Sequence, residues 1–116
     1  MNGARSTKLD VLAIVAHPDD AELSCGGTLI KCARQGRRVG ILDLTRGEMG
    51  TRGTPEIRAR EAARAAKVMG LHHRENLGLR DAQLEPTLEN KLAVAARLRA
   101  LRPRVVILLY WEGRHP

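Results

Sequence analysis

The chain has 116 residues, enough for one domain with a modest core and too few for two. Apolar residues make up 43% of it but aromatics only 2%, so the core must be built from Val, Ile, Leu and Ala, as suits a parallel sheet covered by helices, and base-stacking surfaces for nucleic acid are not expected. The 20 Lys and Arg against 13 Asp and Glu leave a formal charge of +7, but Arg34, Arg37, Arg58, Arg60, Arg64, Arg97 and Arg99 are scattered along expected helices and read as solvated faces.

No apolar run approaches the ~18 residues of a membrane span, and the opening MNGARSTKLD lacks the apolar segment of a signal peptide. Neither membrane insertion nor export is expected. Cys25 and Cys32 stand two helical turns apart, too far for a disulfide, so a reduced, cytoplasmic protein with two small buried thiols is expected.

In chain order, Leu9 to Ala16 (LDVLAIVA) is a short apolar run with β-branched members and reads as a buried strand ending at His17. Glu22 to Gln35 reads as a helix with Leu23, Leu29, Ile30 and Ala33 on its apolar side and Gly36 as its stop. Val39 to Thr45 (VGILDLT) is a second strand, followed by the glycine-rich RGEMGTRG. Thr54-Pro55 is an N-cap with proline at the first helical position, opening a helix that runs to about Met69 and closes at Gly70. Residues 74–79 form a weaker strand, interrupted in pattern by Asn76 and Gly78. Pro86 to Leu101 reads as a helix and Val105 to Tyr110 as a strong strand. This alternation predicts an α/β fold, a Rossmann-like, mostly parallel sheet with helices on both faces.

In such a sheet the carboxyl ends of the strands share one edge, where ligands bind. Three polar clusters fall there: His17-Pro18-Asp19-Asp20, Arg46-Gly47-Glu48 and Glu112-Gly113-Arg114-His115. The spacing of His17 and Asp20 across a turn that opens a helix lets an imidazole and a carboxylate meet one metal ion, and leaves Asp19 to face a bound water as general base. The plainer alternative is that the two acids only cap the helix. A catalytic zinc usually has three protein ligands. His72 and His73 precede a strand and belong to the opposite edge; His115 follows the last strand on the correct edge, as the third ligand or its neighbour. Arg58, near the start of its helix, could reach the same edge and contact an anionic substrate group. Gly47, Gly50 and Gly53 lack the GK[ST] of a phosphate-binding loop and read as a loop over the site.

The segments AHPDDAELSCGG, DLTRGEMGTRG, EIRAREAARAAKVMG, NLGLRDAQL and YWEGRHP together resemble the LmbE-like, or PIG-L, deacetylases, over nearly the whole chain from Leu9 onward. The extra alanine in HPDDAE is most similar to the bacillithiol-biosynthesis branch, which acts on N-acetylglucosaminyl-malate; some relatives accept N-acetylglucosamine or chitin oligomers. The resemblance implies Zn²⁺ held by His17 and Asp20, Asp19 as general base, and His115 beside the developing oxyanion. It implies substrate contacts at Glu48, Arg58 and Asp81. In the family the third zinc ligand is the second histidine of an HPDH motif, which would fall just beyond Pro116, so the chain reads as the N-terminal half of one such domain. The resulting expectation is a deacetylase of small amino-sugar substrates that assembles as a homo-oligomer and binds neither nucleic acid nor membrane. The competing expectation is a non-catalytic sugar- or partner-binding fragment of the same fold.

Overall fold

The computed structural model describes residues 8–46, 54–80 and 85–108. Seven elements alternate along it: β1 (Val11–Val15), α1 (Asp20–Arg34), β2 (Val39–Thr45), α2 (Pro55–Met69), β3 (His73–Leu79), α3 (Leu88–Leu101) and β4 (Val105–Leu108). The four strands form one sheet in the order β3-β2-β1-β4, parallel throughout. Strands are added outward from β1 first on one side and then on the other, which makes the carboxyl end of β1 a topological switch point.

All five residues of β1 are buried, and their alternation divides the core in two. Val11, Ala13 and Val15 face α1 and α2 with Val39, Ile41, Leu29 and Met69. Leu12 and Ile14 point the other way, with Leu9, Leu42 and Leu101, against Val94 and Leu98 of α3. Helices therefore cover both faces, as the strand–helix alternation predicts. Each fully buried Leu contributes roughly 1.5–3 kcal/mol relative to exposure.

Helix boundaries follow their capping residues. The Thr54 hydroxyl accepts from the Ile57 amide at 3.2 Å and the Thr87 hydroxyl from the Asn90 amide at 3.1 Å, and α2 closes at Gly70 in the left-handed conformation (φ 76°). Helix α3 starts at Leu88, two residues later than Pro86.

Three expectations need correction. Helix α1 begins at Asp20 and is not continuous: Cys25 leaves helical geometry at φ −137°, ψ 15°, so Leu23 in the first segment is 86% exposed while Leu29 in the second is fully buried. Cys25 and Cys32 are half-buried, unpaired thiols rather than buried ones. Arg97 is no solvated-face residue: half-buried, it donates to Glu75 Oε1 at 2.8 Å.

Strand β3 is a full parallel neighbour of β2 despite Asn76 and Gly78. The register slips between Asp43 and Thr45, where β3 carries one extra residue. The Asn76 amide nitrogen donates to the Thr45 carbonyl at 2.6 Å and its oxygen accepts from the Gly78 amide at 2.8 Å. Gly78 supplies the positive φ of 74° that the bulge requires. β4 is described to Leu108; the expected extension to Tyr110 lies outside the described residues.

Candidate active site at the carboxyl edge of the sheet

The carbonyl of Ala16, just past the end of β1, is fixed by two bonds from Thr45 of β2, one from its amide and one from its hydroxyl, each 2.9 Å. Immediately after it the chain turns through His17, Pro18 and Asp19 into α1. Asp20 closes this turn: its Oδ2 accepts from the His17 amide at 3.0 Å and lies 3.4 Å from His17 Nδ1. Both side chains are just over a quarter exposed. Zinc bonds of 2.0–2.1 Å at the tetrahedral angle would place two donors about 3.3 Å apart. The pair therefore fits one edge of a tetrahedral zinc site, with the nitrogen and oxygen donors zinc accepts. Among the described residues, no group of three His, Cys, Asp or Glu gathers to complete such a set.

Asp19 occupies the N-cap position of α1, yet its side chain makes no capping bond. Its backbone is left-handed, at φ 89°, strained for any residue but glycine. Capping thus does not account for Asp19, and its exposed carboxylate stands at the open edge beside the His17–Asp20 pair. Arg58, in the first turn of α2, reaches the same turn: its Nη2 donates to the Pro18 carbonyl at 3.2 Å. Of the expected site residues, His17, Asp19, Asp20 and Arg58 come together here. Glu48, Asp81 and His115 lie outside the described residues, as do Gly47, Gly50 and Gly53. His73 pairs across the sheet with Gly40 near the start of β2, which puts His72 and His73 at the opposite edge, as expected.

Behind the turn lies a charge network the sequence reading missed. Arg74 of β3 is 6% exposed and Asp43 of β2 only 2%. The guanidinium donates to Asp43 through Nε (2.9 Å) and Nη2 (3.0 Å), to Glu22 through Nη1 (2.9 Å) and Nη2 (3.2 Å), and to the Ala62 carbonyl through Nη1 (3.4 Å). Burial alone would lower the Arg74 pKa, but the bonds and charges of Asp43 and Glu22 outweigh it and raise the value, so Arg74 stays cationic. Burial pushes the Asp43 carboxyl up against the opposing pull of Arg74. A small cavity of about 160 Å³, lined in part by Pro18, Arg46, Arg74 and Asn76, opens between this network and α2. On the other face of the sheet Glu75 takes bonds from Arg97 and pairs with His73 at 2.9 Å. Burial raises the Glu75 pKa, but these partners more than offset it and hold the carboxyl below its ordinary value.

Residues 12–116 match the sequence pattern of the PIG-L family, GlcNAc-PI de-N-acetylase. The chain belongs to the PIG-L family. A conserved protein of Thermus thermophilus, known from its crystal structure, superimposes with a TM-score of 0.89 at 52% identity, covering 93% of this chain and 49% of the other. The diacetylchitobiose deacetylase of Thermococcus kodakarensis is 34% identical over 91% of this chain and 43% of its own length. A probable N-acetyl-alpha-D-glucosaminyl L-malate deacetylase of Bacillus anthracis is 30% identical over 86% of this chain and 50% of its own. The PIG-L chain thus spans half or less of the length of these relatives.

Proposed function

We propose that the chain forms the N-terminal half of a metal-dependent deacetylase that hydrolyses the acetamide of N-acetylglucosamine-type sugars. The observation that carries the proposal is the turn after β1, where His17 Nδ1 and Asp20 Oδ2 stand 3.4 Å apart next to a strained, uncapping Asp19. The names of the PIG-L relatives support the reaction class, with N-acetylglucosaminyl malate and N-acetylglucosamine oligomers as the candidate substrates.

His17 and Asp20 would hold the ion, taken to be Zn²⁺, and its chemistry there is to polarise the acetamide carbonyl and acidify the attacking water. The Asp19 carboxylate takes a proton from that water and returns it to the departing amine nitrogen, as one acid–base group does in both halves of an amide hydrolysis. His115 is assigned to the oxyanion of the tetrahedral intermediate. Arg58, with Glu48 and Asp81, is assigned to the substrate, the arginine suiting a carboxylate on the aglycone. The half-buried, unpaired thiols are in keeping with a reducing cytoplasm, and no helix among the described residues is long and apolar enough to cross a membrane.

The test is release of free amine from N-acetylglucosamine, diacetylchitobiose and N-acetylglucosaminyl malate, before and after removal of metal with a chelator and after Zn²⁺ is restored. Chelator-sensitive, zinc-restored release supports the proposal. Binding of these sugars without any amine release would instead establish a non-catalytic sugar-binding domain of the same fold.

A further inference from the structure

The break at Cys25 separates the first turns of α1, which carry Asp20 and Glu22 and pack in the core through Ala21, from the segment that packs there through Gly26 and Leu29. Helical continuity with that second segment therefore does not fix the direction of the first turns; the burial of Ala21 and the bonds of Glu22 to Arg74 do. We infer that Arg74 is the positioning residue for the His17–Asp20 pair, an inference that rests on the metal reading of that pair.

Three observations support it. A guanidinium has five N–H donors, and Arg74 makes five bonds, all to protein acceptors, leaving none for a ligand. Its acceptors belong to three different elements: Glu22 in the first segment of α1, Asp43 in β2 and the Ala62 carbonyl in α2. Finally, α2 itself holds the metal-site turn through Arg58 and the Pro18 carbonyl. One buried fork thus ties to the sheet both helices that flank the turn. Asp43 lies in register with Val15, the last residue of β1, so the anchor sits at the level of the donors. A planar fork with fixed donor directions does this; a lysine, with one rotatable ammonium, does not.

The experiment compares Arg74→Lys, Glu22→Gln and Arg97→Lys with the unaltered chain. Glu22→Gln takes the charge and one of the two acceptors from the tie to α1 while leaving the Arg74–Asp43 pair in place, and so serves where Arg74→Lys fails to fold. Arg97→Lys weakens the comparable ion pair on the other face of the sheet. Zn²⁺ affinity is read by chelator competition, and amide hydrogen exchange is read at Leu23, whose N–H bonds the Asp19 carbonyl at 3.0 Å, and through Gly26–Arg34. The expected result is at least about tenfold weaker Zn²⁺ binding in the first two variants, the scale of lost outer support around a metal ligand. Exchange should accelerate at Leu23 but not in Gly26–Arg34, and Arg97→Lys should change neither reading. Unchanged affinity in Arg74→Lys and Glu22→Gln, or acceleration spread evenly along α1, overturns the inference. An unaltered chain that takes up no Zn²⁺, even at the weak affinity expected of a two-donor site, overturns the reading of the site itself, whatever the exchange shows.

Discussion

Asp19 pays for its place in the turn with a left-handed backbone at φ 89°, a conformation costing ~1–2 kcal/mol in a side-chain-bearing residue. Asp19→Gly removes the strain and the carboxylate together. It should raise stability by up to ~1 kcal/mol in urea unfolding while amine release disappears. Asp19→Asn keeps the shape and should lower turnover at least ~100-fold with an unmoved unfolding midpoint; an Asn variant that still turns over would remove the base assignment. Glu75 makes a separate, pH-dependent prediction. Its pKa is lower in the folded chain than in the unfolded one, so its contribution is complete above the ordinary glutamate value of ~4.3 and is lost as pH falls through the folded value. Chemical denaturation of Glu75→Gln beside the unaltered chain should show a stability gap that narrows as the pH is taken below about 5. A gap that widens below that pH would contradict the pairing with Arg97 and His73. The His17–Asp20 turn was legible in the sequence because its residues are neighbours in one short segment. The Arg74 network was not: its bonds span 31 residues to Asp43 and 52 to Glu22, and no local pattern records them. The available signal was a lone charge inside an otherwise apolar strand, Asp43 in VGILDLT, which has to find a partner when buried.

Among the elements, strand identity was easiest to read where β-branched residues run together, as in β1, β2 and β4. β3 looked weak because Asn76 and Gly78 are poor strand formers, and both prove to be the parts of the bulge. The break in α1 has a trace of its own, since Gly26 and Gly27 follow Cys25 directly and paired glycines loosen a helix, but Leu23 fitted a helical period that the bend takes out of the core. Close packing between elements is sharpest at Gly40. A Cβ there would lie 2.6 Å from Leu9 Cδ1 and 3.1 Å from the His73 carbonyl oxygen. Leu9 can swing aside, but the β3 backbone cannot without breaking the ladder. Gly40→Ala should therefore cost about 1–3 kcal/mol, measured as a lower urea midpoint with an unchanged slope; a neutral result would show that β2 and β3 have room to separate.

At the scale of the whole molecule, β4 is the edge strand among the described residues and is only partly covered, with Ile107 packed against the core. Val105 is 54% exposed on one side, and Val106 and Leu108 are 40% and 65% exposed on the other; Leu88 and Leu92 of α3 are exposed as well. Unpaired strand edges with apolar faces invite association. The chain should self-associate with rising concentration in sedimentation experiments, and Leu108→Lys should shift it toward the monomer; a concentration-independent monomer would count against the expected homo-oligomer. The opposite end of the sheet has a different use. His17, Asp20 and Arg58 gather where the strands finish, whereas the turn between α1 and β2, at Gln35, Gly36 and Arg37, is exposed where β2 begins. At about 3.3 Å per residue, the length of β2 keeps the two ends roughly 20 Å apart. That turn is a natural handle: a dye, a fusion partner or a solid support could be tethered through it without obstructing the approach of a sugar.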